Sequence, residues 1–398
     1  MKLKSLLTAT AAAALLAGAA HADVKFGALY PFSGGLALLG EESFRGVEIA
    51  VDEINAAGGI KGEQIELVRG DAVDNNQAIG EARRLISREG VKAILGTYSS
   101  SRSIAASQVA ELSGIPYFEL GAVADEVTGR DLKYLFRTNP TAETMGIMTI
   151  DMIVDEIAPG LGVAPEDLVI GVIHEDSAYG TSVAGHQERY GSEKGLNIAT
   201  VQGYPTSTVD MSSLVLDLKD RGVNIVLQTS YQNDSVLFLN QSAEAGFEPD
   251  AIIGGGGGYS LTATAEAVGD KMDGVLDVDF TQYAVNTEFT PGLEDFLAAY
   301  QAKYGEDPRS GHSLNNYVGA MAVLEGIGAG EGFEPDQIVA AAKAIDIPSG
   351  ATAAGYGVHF GEHNQNDRAM MMGMQWQDGK LVTVYPRDAA VAEFQIGD

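Results

Sequence analysis

Three observations predict an α/β protein built as two similar lobes with parallel central sheets. Strand-like and helix-like segments alternate along most of the 398 residues, and such alternation implies parallel strands joined by helical crossovers. The cycle restarts after Pro140 and repeats. No Pro-rich, Ser-rich or highly charged spacer separates the two runs, so lobes joined by hinges are expected rather than independent beads.

The first unit opens with the strand "VKFGALY" (24 to 30). An amphipathic helix follows over 41 to 59, with Phe44, Val47, Ile49, Val51 and Ile54 apolar and Gly58 as its stop. "QIELVRGD", "VKAILGTY", "IPYFELG" and "KYLFRTNP" read as further strands, with helices over "NNQAIGEARRLISREG" and 101 to 113. After the boundary at 137 to 141, helix 141 to 157 leads to strand "DLVIGVIHED", then helix 180 to 194 and strand "NIATVQGYP". Helix 210 to 220, strand "VNIVLQTSY", helix 233 to 245 and the short run "AIIGG" complete the second unit. The remainder makes no third unit: strand "VLDVDF" (275 to 280) precedes helices near 291 to 304, 312 to 329 and 335 to 344, then strand-like "YGVHF" and "MMMGMQWQ". Those late helices are expected to pack on the first lobe.

Composition excludes several classes. Lys2 and Lys4, the apolar "LLTATAAAALLAGAA" and the small-x-small "AHA" predict a secretory signal peptide over 1 to 22, cleaved after Ala22, and a periplasmic protein. No other stretch is long and apolar enough to span a bilayer, so no direct membrane insertion is expected. Cysteine is absent, which removes disulfides, a thiol nucleophile and a lipid-bearing cleavage-site cysteine. The formal charge is -30, or -32 once Lys2 and Lys4 are removed, and such a surface repels nucleic acid and anionic headgroups.

Catalytic and metal motifs are weak. His359 and His363 are four apart but flank "FGE" in an expected turn, which reads as two polar residues facing solvent rather than a metal site. No nucleophile elbow is present, and His174 at a strand end is expected to line a cleft rather than act as a base. The run "GGGGGYS" (254 to 260) lacks the Lys-Ser/Thr pair of a phosphate loop. It is either a flexible loop or a place where backbone closely approaches a ligand. No cofactor and no enzymatic activity are expected.

The stretch "LGTYSSSRSIAA" (95 to 106) is the strongest binding signal. It places Ser99, Ser100, Ser101 and Arg102 between a strand and a helix, where free amides and a partial positive charge favour a carboxylate. Ser100 or Ser101 could instead simply cap the helix. Tyr179 and Tyr231 each sit just past a strand of the second unit, where an aromatic face with a polar tip suits a small amphipathic ligand.

The segment 28 to 71, "ALYPFSGGLALLGEESFRGVEIAVDEINAAGGIKGEQIELVRGD", with "ILGTYSSS" and "HEDSAYG" after it in the same order, resembles the leucine/isoleucine/valine-binding family. These are type I periplasmic solute-binding proteins of ABC importers, and the resemblance runs the length of the mature chain. It implies two Rossmann-like lobes joined by three hinge crossovers, with lobe 1 as 23 to 140 plus 281 to 366 and lobe 2 as 141 to 280 plus 367 to 398. It further implies a monomer that closes on a small amino-acid-like or amide-like metabolite and delivers it to a membrane permease. A sensor acting through a membrane receptor, or import of a non-amino-acid carboxylate or cationic solute, is the alternative.

The same resemblance matches the carboxylate-holding serine at Ser100 and the following turn at Gly121, Ala122 and Val123, where the family has a small residue and a threonine. It matches two wall tyrosines at Tyr179 and Tyr231. The family's ammonium-binding acid falls at Gly256, so that half departs from the pattern. Glu119, an unusual carboxylate at the end of the fourth strand, could compensate by meeting a cationic ligand group, or it pairs with Arg102 or another protein base.

Overall fold

The structure, a computed structural model, describes residues 23–396. The leader over 1 to 22 and its cleavage after Ala22 lie outside the described residues. The first sheet is made of β1 (Val24–Tyr30), β2 (Ile65–Asp71), β3 (Ile94–Gly96), β4 (Tyr117–Glu119) and β5 (Leu135–Arg137). All its pairings are parallel, in the order β2-β1-β3-β4-β5. β1 and β3 are almost wholly buried, as central parallel strands covered on both faces must be, and their sequences are correspondingly apolar.

The second sheet holds β6 (Val169–Glu175), β7 (Asn197–Tyr204), β8 (Ile225–Thr229), β9 (Ala251–Gly255) and β10 (Leu276–Asp279). A two-residue pair, β11 (Asp346–Ile347) and β12 (Val358–His359), stands apart, and β13 (Met372–Gln377) and β14 (Lys380–Tyr385) end the set. The order is β14-β13-β10-β9-β8-β6-β7. β13 and β14 join antiparallel to β10 and to each other, so this sheet is parallel only in part. A short turn at Asp378–Gly379, both at positive φ, permits that hairpin, whereas parallel pairing would need a long crossover.

The late helices Leu293–Tyr304, His312–Ala329 and Pro335–Lys343 return to the first sheet's side. His312–Ala329 crosses helix Ala37–Ala56 so closely that a Cβ on Gly46 would lie 1.9 Å from the Ser313 carbonyl oxygen. Phe26, Phe44, Phe118, Phe136 and Leu324 form one core beneath this crossing. Ile150, Val172, Leu227, Ile253 and Val278 form another in the second sheet.

Each strand order reverses at one place, between β1 and β3 in the first sheet and between β6 and β8 in the second. Loops leaving such a switch point diverge to opposite faces and leave a crevice at the strands' carboxyl ends. The four loops after β1, β3, β6 and β8 therefore become the walls of one cleft.

Candidate functional site

The helix entrance is intact, but its hydroxyls diverge. Ser99 occupies the N-cap position of helix Ser100–Ser113 with extended backbone, yet no side chain caps the helix. The Ser99 Oγ instead accepts from Arg102 Nη1 at 2.9 Å. Arg102 also donates from Nε to the Ala72 carbonyl at 2.8 Å and from Nη2 to that of Val73, which fixes its guanidinium at the cleft rim. The Ser100 Oγ accepts from the Ala124 amide at 3.2 Å and lines neither chamber of the cleft. Ser101 Oγ accepts from the Ala178 amide of the other lobe at 3.4 Å. The Asp125 amide donates to Ser182 Oγ at 3.1 Å, and Asp125 pairs with His186, so the lobes are drawn together along this edge.

Glu119 lines neither chamber of the cleft and is not paired with Arg102. Its carboxylate accepts from the amides of Thr97 (2.7 Å), Tyr98 (2.9 Å), Leu120 (3.1 Å), Gly121 (2.9 Å) and Ala122 (2.8 Å). It is wholly buried behind the turn and makes no ion pair with Arg102. A short strand running into a tight turn aims several amides at one point, and an anion at that point satisfies them all. The carbonyls of the same turn are held from the far side: Arg137 Nη1 donates to Ala122 (3.1 Å) and Ala124 (2.7 Å). Burial lowers the Arg137 guanidinium to about 10, which leaves it cationic at neutral pH. Gly121 and Val123 face the cleft while Ala122 is enclosed by these bonds. A Cβ on Gly121 would lie 2.8 Å from that of Tyr98.

The inner chamber, of about 20 Å³, is enclosed by Tyr98, Val123, Tyr179, Tyr231, Phe280 and His312, with Gly256 and Gly257 closing one side. The Tyr179 and Tyr231 rings lie 5.3 Å apart, tilted by 52°, and the Tyr179 hydroxyl donates to the Gly255 carbonyl. The glycine run is a packing device, not a loose loop. A Cβ on Gly256, whose φ is +84°, would lie 2.8 Å from the Tyr179 hydroxyl. A Cβ on Gly257 would meet Leu39 of the opposite lobe at the same distance, and one on Gly258 would strike Ser235. Only backbone fits between the lobes there.

Asp277, Asp279 and His312 are the residues that sequence reasoning missed. Asp279 and His312 line the inner chamber, and Asp277 Oδ1 accepts from the Gly256 amide at 3.0 Å. The available signal was "LDVDF", which puts two acids on one face of a strand.

The outer chamber, of about 550 Å³, opens beyond Tyr231. Its walls are polar: Asp74, Ser101, Arg102, Glu175, Asn233 and Asp234 contribute. Glu175 is spoken for by Ser177 and the Gly180 amide (2.7 Å). Asp234 accepts from the Tyr204 hydroxyl at 2.7 Å and the Tyr231 amide at 2.9 Å. Burial outweighs those bonds and pushes its carboxyl up to about 7. An unfolded aspartate ionises near 4, so the folded chain holds an extra proton between about 4 and about 7. Stability from this group is full at low pH and is lost as pH rises through about 7. In urea unfolding, Asp234→Asn is expected to remove roughly 2–3 kcal/mol of the stability difference between pH 5 and pH 8.

Among the described residues no cluster of three or more His, Cys, Asp or Glu could hold a metal. His359 pairs with Asp367 and His363 with Asp131, all at the exposed surface. His174 Nδ1 contacts the Glu175 carbonyl at 2.8 Å. No described helix is long and apolar enough to cross a membrane.

Residues 23–380 match the family described as periplasmic binding protein. The chain is 70% identical over 378 residues to "Leu/Ile/Val-binding protein homolog 8" of Brucella abortus (strain 2308), covering 95% of this chain and 94% of that one. It is 63% identical over 393 residues to "Leu/Ile/Val-binding protein homolog 7" of Brucella suis biovar 1, covering 98% of each. In fold it is similar to the branched-chain amino acid transporter substrate binding protein LivJ of Streptococcus pneumoniae, solved in complex with isoleucine. That match has a TM-score of 0.78 at 22% identity, over 94% of this chain and all of the other. It is also similar to a solute binding protein of an ABC transporter from Rhodopseudomonas palustris BisB5, solved with 3,4-dihydroxy benzoic acid. Here the TM-score is 0.74 at 19% identity, over 90% and 95% of the two chains.

Proposed function

The chain belongs to the Leu/Ile/Val-binding family of periplasmic binding proteins, and from that premise we propose that it is the solute-binding component of an ABC importer. Its family consists of solute-binding proteins, not enzymes. The proposed solute is a small amino-acid-like or amide-like metabolite, held by closure of two lobes. Lobe 1 would comprise 23 to 140 and 281 to 366, and lobe 2 the segments 141 to 280 and 367 to 398. The return of the late helices to the first sheet and of β13 and β14 to the second supports that division. The protein would act in the periplasm as a monomer, after cleavage behind Ala22, and deliver its solute to a membrane permease.

The observation that carries this reading is the cleft itself. Loops from both switch points contribute its walls, and residues of both lobes bond across its edge. A solute touching both lobes favours the closed form by its differential affinity for that form, and a transporter can read closure as occupancy. The anionic end of the solute would meet the helix entrance at Ser101 and Arg102, with Ser99 and Ser100 bracing that entrance from behind. Tyr179 and Tyr231 would wall its apolar body.

A thermal-shift screen of the mature protein over amino acids, amides, quaternary amines and small carboxylates tests this. A true solute at a hundredfold excess over its Kd should add about 2.7 kcal/mol of apparent stability. Silence across all four classes would end the solute-binding assignment.

A further inference from the structure

The inner chamber is lined by a buried acid with one oxygen left unpartnered. Asp279 ends β10 and is 1% exposed. Its Oδ1 lies 3.6 Å from where a Gly256 Cβ would stand, so it reaches the space that the glycine leaves open. Its Oδ2 has no hydrogen-bond partner. Among the described residues no lysine or arginine forms an ion pair with it, and the nearest basic group is His312 Nδ1 at 3.7 Å.

His312 is a poor counter-ion. Burial holds its imidazole below the ordinary histidine value, and Nδ1 is engaged with Ser310 Oγ at 2.8 Å. Asp277, two residues back on the same strand face, adds no cation. Burial first, and the Asp279 charge second, push the Asp277 carboxyl well above the ordinary value. Asp277 is turned toward the Gly256 amide and shapes the glycine turn, which leaves Asp279 as the acid that lines the chamber. A buried carboxylate without a partner is costly, and a charge brought by a bound group can offset that cost.

The chamber's size and walls describe that group. A volume of about 20 Å³ admits one or two water-sized groups. A primary ammonium is of that size and a trimethylammonium is not. The walls are aromatic: Tyr98 and Phe280 lie edge-on to His312 with centroids 5.8 and 4.9 Å away, opposite the Tyr179–Tyr231 pair. Ring faces attract a cation and exclude water that would compete for it.

We propose that Asp279 receives the primary ammonium group of the solute in the inner chamber, while the rest of the solute passes Tyr231 into the outer chamber. This deepens the solute-binding assignment and rests on it. It selects unsubstituted amino compounds over deaminated acids and over N-methylated amines. It also gives Gly256 a positive task, since any side chain there would enter the space in front of the carboxylate.

The test uses the mature protein and calorimetric titration with the protein amino acids and the ω-amino acids from β-alanine to 6-aminohexanoate. Each is paired with its deaminated acid and its N-trimethyl analogue, and 3,4-dihydroxybenzoate serves as an acid without nitrogen. Wild type is expected to bind at least one amino compound ten times or more tighter than both of its analogues. Asp279→Asn should weaken that compound at least tenfold and leave the deaminated acid unchanged. Equal affinity of wild type for an amino compound and its deaminated acid would overturn the Asp279 assignment while keeping the solute-binding one. So would tight binding of an acid with no amine preference. This comparison needs no variant, so a folding defect in Asp279→Asn would not spoil it. If no compound binds at all, the Asp279 assignment falls, and the solute-binding one falls with it only if the amides of the thermal-shift screen are silent too.

Discussion

Glu119→Ala is expected to cost about 5 kcal/mol of folding stability, read from urea unfolding of the mature protein. Five backbone amides converge on that carboxylate within 3.1 Å, and alanine leaves all five buried donors without an acceptor. Each orphaned buried donor costs about 1–3 kcal/mol, and the losses do not add fully because the turn can relax. The sum still falls in the tail reserved for broken buried networks. Glu119→Gln is the informative partner. It keeps one carbonyl oxygen for the four amides on Oε1 but turns an NH₂ toward the Thr97 amide, so roughly half the loss is expected. Were Glu119 a solute contact, both variants would change affinity and leave the unfolding midpoint near wild type.

Arg137→Ala is expected to be nearly as damaging, at about 4 kcal/mol. Its guanidinium is 1% exposed and donates to Ala122, Ala124, Thr128 Oγ1 (3.0 Å) and the Gln365 side chain. Three of these acceptors belong to the 120–128 segment, and Gln365 belongs to the chain returning from the late helices. The Asn366 amide donates to the Arg137 carbonyl at 2.9 Å, so one residue ties the turn to a crossover from both its ends. Removing a buried charge donor strands the acceptors it served. Arg137→Lys should recover only a minor part, because a lysine ammonium cannot reproduce a planar fork that reaches four acceptors. The measurement is the melting midpoint together with amide exchange in residues 120–128, which should accelerate in both variants.

These two residues explain why Glu119 was misread. A carboxylate at a buried strand end needs a partner, and that much follows from the sequence. The partner turned out to be the backbone of its own turn and of the preceding β3 turn, which no side-chain pattern announces. The serine-rich entrance was placed at a helix start because strand-then-helix periodicity is local. The directions of its hydroxyls were not legible, since Ser100 answers to Ala124 and Ser101 to Ala178 in the other lobe. Asp277 and Asp279 went unnoticed for a related reason. In alternation an acid every second residue reads as a solvent face, and only the packing on both sides of β10 makes that face an interior one.

The sequence by itself determined what depends on neighbours along the chain: the strand–helix alternation, the restart near Pro140, the parallel β1 to β10, and the position of the donor-rich helix entrance. Its motifs also carried the family. Tertiary structure alone decided which polar groups face one another, because the cleft is assembled from loops far apart in sequence. Leu39 meets Gly257 and Asp279 meets His312 only where the two lobes face each other. The difference is physical. Periodicity and turn chemistry are set by short-range sterics, whereas the cost of a buried charge is set by what lies across the cavity, and that is fixed only when both switch-point crevices share one wall.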